Sequence, residues 1–282
     1  MSERKNRVHA EALQQALIAL RTRQFARAEH QATAILKSNR ADRAALLIMA
    51  HALLGQHRAD EAVAALEKAA RRTGDPEIAT LLGAALCDSR RAADGIKQLR
   101  ETAAKRPPYL PAFQELAGRL VKAGQLGEAI SVIEQGLALS PASIDLKVDL
   151  ARLCLQANDR AKARANLAAA RDAAPGRLDV LTELGSVLFL DGDYAEAADT
   201  FRNALGLRPE DPQSRANLAM CLLELGERNG AETALRSMLR GRPQLLTRAA
   251  YALAACSHGR FFFRQSAAAK FLEGDAAGPV KP

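Results

Sequence analysis

The chain has 282 residues, carries 40 Lys/Arg against 32 Asp/Glu for a formal charge of +8, and contains no Trp, 3 Tyr and 8 Phe. Ala, Leu, Arg, Glu and Gln dominate and alternating β-branched or aromatic runs are missing, which excludes a strand-rich fold and predicts an all-α chain. No stretch approaches the roughly 20 apolar residues of a membrane span, and the opening MSERKNRVHAEALQQ has no apolar leader core, so a cytoplasmic protein is expected.

In chain order, residues 1–8 read as a basic N-terminal tail. A first helix-pair unit begins near His9 with Phe25 and Ala28. A second starts near Arg43 with Ala50, Ala62 and Leu66. A third starts near Pro76 with Leu82, Gly83, Leu99 and Pro107, and has Gly95 where the later units have Ala. Four stricter units follow in a 34-residue register. Leu116, Leu150, Leu184 and Leu218 are each followed by a small residue: Ala117, Ala151, Gly185 and Ala219. Ala129, Ala163, Ala197 and Ala231 come next, then Ile133, Leu167, Phe201 and Leu235, then Pro141, Pro175, Pro209 and Pro243. The small residues let two antiparallel helices approach closely, the larger apolar residue fills the gap beside the next unit, and the Pro ends one unit and opens the next. About seven units thus cover 9–243. Residues 244–272 read as C-terminal capping helices, a degenerate eighth unit, and 273–282 as a flexible tail.

This register and its Leu-Gly/Ala, Ala, Phe/Leu and Pro positions resemble the tetratricopeptide repeat, a 34-residue helix-turn-helix unit. The resemblance implies a right-handed superhelical solenoid whose concave groove, lined by the first helix of each unit, binds an extended peptide or a helix. Carried over residue by residue, the groove positions include Glu77, Glu115, Asp145, Asp149, Arg152, Asp179, Glu183, Asn217 and Glu224. That lining is mostly acidic and would suit a basic partner segment, or would simply solvate a helix face. The second unit offers Leu47, Ile48, His51 and Leu54, an apolar end. Chaperone-binding members grip a terminal carboxylate with Lys and Asn on successive first helices; Asn217 is present here and the companion lysines are not.

Asp191, Asp193 and Glu196 in LFLDGDYAEAADTF would be spaced like a cation-binding loop. In the other units Asp191 aligns with Ala123, Ala157 and Leu225, and Gly192 with Gly124, Asn158 and Gly226, so the stretch reads as a helix-helix turn with a left-handed residue. Cys87, Cys154, Cys221 and Cys256 lack zinc-ligand spacing and read as small core residues. The five His are dispersed and read as surface or packing residues, and no nucleotide-binding or hydrolase motif occurs. No enzyme activity, cofactor or metal is expected.

The basic charge sits at the ends: residues 236–282 hold eight Lys/Arg against two Asp/Glu, and residues 1–43 nine against four. RFFFRQSAAAKFL, 260–272, holds half the Phe of the chain. Phe261, Phe262 and Phe263 either cap the last unit or project as a docking knob. The reading is a non-catalytic adaptor or scaffold that binds a basic peptide or helix in an acidic groove. The alternatives are a basic-ended protein docking on nucleic acid or an anionic membrane surface, and an accessory subunit of an enzyme system. Self-association through the repeat faces or the Phe run stays open, and no small-molecule substrate is evident.

Overall fold

The computed structural model describes residues 2–273, among which it holds sixteen α-helices, one 3-10 turn and no strand. The chain divides into two compact units, 1–141 and 142–282. The first comprises α1 (Ser2–Arg21), α2 (Phe25–Ser38), α3 (Arg43–Gly55), α4 (Ala59–Thr73), α5 (Pro76–Asp88), α6 (Ala92–Ala103), α7 (Leu110–Lys122) and α8 (Leu126–Leu139). Each odd-numbered helix forms a hairpin with the next, each even-numbered one packs on the following hairpin up to α7, and α1, α3, α5 and α7 lie side by side. Helix α1 starts at Ser2, so the segment expected as a tail is helical; no Gly or Pro interrupts the chain before Gly55.

The second unit comprises α9 (Ile144–Gln156), α10 (Arg160–Ala173), α11 (Leu178–Asp191), α12 (Tyr194–Leu207), α13 (Pro212–Glu224), α14 (Arg228–Leu239), the turn Pro243–Leu245, α15 (Leu246–Ala254) and α16 (Gln265–Glu273). It repeats the hairpin packing, and α16 folds back on α14 and α15. The tail expected at 273–282 lies, from residue 274 on, outside the described residues.

Local chemistry sets the helix boundaries. Asp42 accepts from the Ala45 amide at 2.9 Å, Asp75 from Glu77 at 2.8 Å and Asp211 from Ser214 at 2.7 Å, each satisfying donors that a helix start leaves unpaired, and Pro76 and Pro212 occupy first-turn positions. Six of the seven hairpin turns place a left-handed residue at the same point: Arg23, His57 and Gly124 in the first unit, Asn158, Gly192 and Gly226 in the second. The sequence marks four of them. Arg23, at 58°, escapes notice because its type gives no sign of positive φ, and His57, at 61°, because the His preference for that region is weak beside that of Gly.

The register positions form the core. Leu66, Leu99, Ile133, Leu167, Phe201 and Leu235 are fully enclosed, as are Ala129, Ala163, Ala197 and Ala231; burial of each large side chain contributes about 2 kcal/mol. Leu218 is only partly buried, at the edge of the last cluster. Gly95 departs from Ala for a steric reason. A Cβ there would lie 2.6 Å from the Cys87 amide nitrogen and 2.7 Å from the Gly83 carbonyl oxygen, so α5 and α6 meet backbone to backbone. In the second unit Gly185 instead leaves room for a side chain, the Phe201 ring, 2.7 Å from where a Cβ would stand.

Candidate functional site

In the first unit the side-by-side helices present Glu77 and Glu115, and neither carboxylate stands alone. Arg43 on α3 crosses to α5, donating to Asp75 and, at 2.5 Å, to Glu77. Asp75 is thereby held below the usual carboxylate range, first by Arg43, with the amides of Glu77 and Ile78 adding to the effect. Arg119 on α7 reaches Glu115 at 2.7 Å and Asp88 on α5. The expected apolar end is not a groove surface. Leu47 and Ile48 are buried in core clusters, Leu54 is half-buried, and only His51 is exposed. The apolar run of α3 packs against α1 and α2 on one side and α4 and α5 on the other, so its leucines are absorbed inward.

In the second unit the corresponding residues form two clusters. Arg177, at the start of α11, donates to Asp145 on α9 at 2.7 Å and to Asp179 at 2.8 Å; this pairing holds the Asp179 carboxyl down. Arg152 on α9 donates to Glu183 on α11 at 2.7 Å and lies 3.5 Å from Asp149. Four carboxylates thus share two guanidiniums, an excess of two negative charges held in fixed positions. Asn217 on α13 accepts from Gln213 at 2.9 Å. Glu224 faces the end of α15, where it accepts the Ser257 amide at 2.9 Å, which gives it a fold-holding role.

The same device runs through both units away from this face. Arg58 to Glu29 at 2.6 Å, Arg91 to Glu67 at 2.8 Å, Arg100 to Glu128 at 2.5 Å and Arg242 to Glu210 at 2.5 Å each join one hairpin to its neighbour. It also accounts for the carboxylates at the α11–α12 turn. Arg164 on α10 binds Asp193 and, at 2.9 Å, Glu196, and Arg160 lies 3.6 Å from Asp191. The Asp193 carboxylate, at the N-cap of α12, is bound by this arginine rather than by a backbone amide. Among the described residues no group of three or more His, Cys, Asp or Glu could hold a metal ion.

Of the cysteines, Cys154, Cys221 and Cys256 are buried and Cys87 is half-exposed at the end of α5. Burial pushes the Cys221 and Cys256 thiols up to about 12. His9 on α1 meets Asp42 at 2.9 Å, and His57 is a turn residue.

The Phe run divides. Phe262 packs on the terminal core cluster with Phe271, ring centroids 5.3 Å apart. Phe261 and Phe263 are 68% and 96% exposed and stand edge to face on one another. Arg260 covers Phe271 at 4.3 Å from its centroid.

Sequence reasoning found the carboxylates and missed Arg43, Arg119 and Arg177, each of which pairs with two of them. The signal was available as a guanidinium and a carboxylate about one repeat apart, 31 to 34 residues, as in Arg43 to Glu77, Arg119 to Asp88 and Arg177 to Asp145.

No described helix is long and apolar enough to cross a membrane. Among solved structures, the C-terminal part of a TPR repeat-containing protein from Cytophaga hutchinsonii matches with a TM-score of 0.60 at 15% identity, over 73% of this chain and 85% of that one. A crystal structure of MamA matches with a TM-score of 0.52 at 14% identity, over 59% of this chain and 97% of that one. At these identities the likeness is one of fold. No significant match is found among curated protein sequences. Family profiles described as tetratricopeptide repeat match residues 13–76, 120–182 and 188–256, most of the chain. With the 34-residue register and the paired helices, these matches show that the chain belongs to the tetratricopeptide repeat family.

Proposed function

We propose that the chain is a non-catalytic protein-interaction scaffold whose second unit binds a basic peptide or helix across α9, α11 and α13. Scaffolding is the general role of tetratricopeptide repeats; the location and the basic partner are the finer reading. The observation that carries it is the charge excess at Asp145, Asp149, Asp179 and Glu183 around Arg152 and Arg177. The two guanidiniums hold the carboxylates in place before any ligand arrives, so a Lys or Arg of the partner meets acceptors whose ordering cost is already met. Neutral or acidic segments gain nothing from such a surface.

A native pull-down with mass spectrometry tests this, comparing wild type with Asp149→Lys plus Glu183→Lys after circular dichroism has shown both to be helical. Loss of a captured protein in the reversal, and a steep fall of wild-type capture with salt, support the proposal. Equal capture by both overturns it.

A further inference from the structure

We propose that the loop between α15 and α16 is a second, separate docking point, fitted to the surface of an anionic bilayer. Its backbone is fixed from several sides. Arg228 donates to the His258 carbonyl at 2.9 Å, Glu224 accepts the Ser257 amide, and the Arg260 amide returns to the Leu253 carbonyl at 2.7 Å. A Cβ at Gly259 would collide with that same carbonyl, so the tight return depends on glycine. Beyond it the chain is not helical, and its side chains alternate: Phe261 out, Phe262 into the core, Phe263 out. Two large apolar rings therefore project from an anchored loop, and Phe262 holds its base.

The charge along the loop's own sequence is of one sign, and the carboxylate that meets the loop, Glu224, is taken up by the Ser257 amide. Residues 240–272 contain no Asp or Glu, while Arg260 and Arg264 flank the three Phe. Arg264 makes no ion pair among the described residues, and Arg260 lies over Phe271 and is still exposed. Projecting apolar side chains ringed by cations are what the headgroup boundary of an anionic bilayer accepts. The rings enter the acyl boundary and the guanidiniums stay with the phosphates, and neither signal alone holds a protein there. A single-stranded nucleic acid fits less well. Its bases need open aromatic faces, and here the rings meet edge to face, 5.4 Å apart at 89°, as one compact wedge.

The test is sedimentation of the full chain with vesicles of phosphatidylcholine, with or without phosphatidylglycerol. Wild type is expected to partition onto the phosphatidylglycerol vesicles, to be released by salt and to ignore pure phosphatidylcholine. Phe261→Ser plus Phe263→Ser should lower partitioning about tenfold with an unchanged melting curve, since both rings are exposed. Arg264→Gln should lower it roughly fivefold, an independent readout should the double variant misfold. Absence of wild-type partitioning, or partitioning unchanged in Arg264→Gln and in the folded double variant, overturns the proposal. Retention of a single-stranded oligonucleotide in place of vesicles overturns it as well.

Discussion

Arg152 on α9 donates to Glu183 on α11 at 2.7 Å, across one repeat of sequence, while lying 3.5 Å from Asp149 on its own helix. The guanidinium joins two hairpins and also sets how negative their shared face is. Its side chain is half exposed, so removing it should cost stability only a few tenths of a kcal/mol. Arg152→Gln leaves both carboxylates without this cation. It is expected to melt slightly below wild type and to retain a basic partner more strongly, with a steeper salt dependence. Thermal denaturation and partner retention at two salt concentrations check the pair of effects.

Two glycine substitutions should move stability in opposite directions. Gly95→Ala places a methyl group against the Cys87 backbone, where neither helix can give way without separating the hairpin; a loss of about 1–3 kcal/mol is expected. Gly118 sits within α7 with open space where its Cβ would be, so Gly118→Ala should gain about 0.5–1 kcal/mol. Urea denaturation midpoints measure both.

His57 adopts φ 61° at a turn that Gly124, Gly192 and Gly226 fill elsewhere with glycine. His57→Gly relieves the left-handed strain and gives back part of the gain in unfolded-state entropy, for a net stabilisation of about 1 kcal/mol. The midpoint in urea should rise.

The repeat was legible because each unit must bury the same stripe against the next, which forces Leu99, Ile133, Leu167, Phe201 and Leu235 into one register. The candidate site was only half legible. The tetratricopeptide resemblance carries Asp145, Asp149, Asp179 and Glu183 onto the first helices, but it does not show that Arg177 arrives from the start of the next unit. Leu47 and Ile48 misled for a related reason: on α3 an outward position and an inward one are a fraction of a turn apart, and packing decides between them. Three consecutive Phe could not be sorted from sequence at all. Their alternation follows from the non-helical backbone after Gly259, which the run itself does not announce.

Asp75 caps α5 and accepts from Arg43, and its carboxyl is held below the usual range chiefly by that arginine. A carboxylate depressed on folding adds stability at neutral pH, and that contribution disappears as pH falls through its folded value. Asn keeps the cap and loses the charge. Asp75→Asn should therefore be about 1 kcal/mol less stable than wild type near neutrality, with the gap closing as the medium is taken well into the acid range. Thermal melts across that range give the difference directly, and a gap that stays constant with pH removes the charge from the account.

Capping and docking are separable within the Phe run because one ring does each job. Phe262 packs on the terminal cluster beside Phe271, so Phe262→Ala opens a void there. A half-buried ring truncated in this way should cost about 1–3 kcal/mol, and the loss should appear as early melting of the last hairpin, with faster amide exchange in α15 and α16 than in α9 to α12. Phe263 is 96% exposed and touches only Phe261 among the rings. Phe263→Ser should therefore stay within about 0.5 kcal/mol of wild type. If the two variants were equally destabilised, both rings would belong to the cap and the projecting pair would be a packing feature. If only Phe262→Ala loosens the last hairpin, the cap is the work of Phe262 alone, and Phe263 is free of any part in holding the fold together.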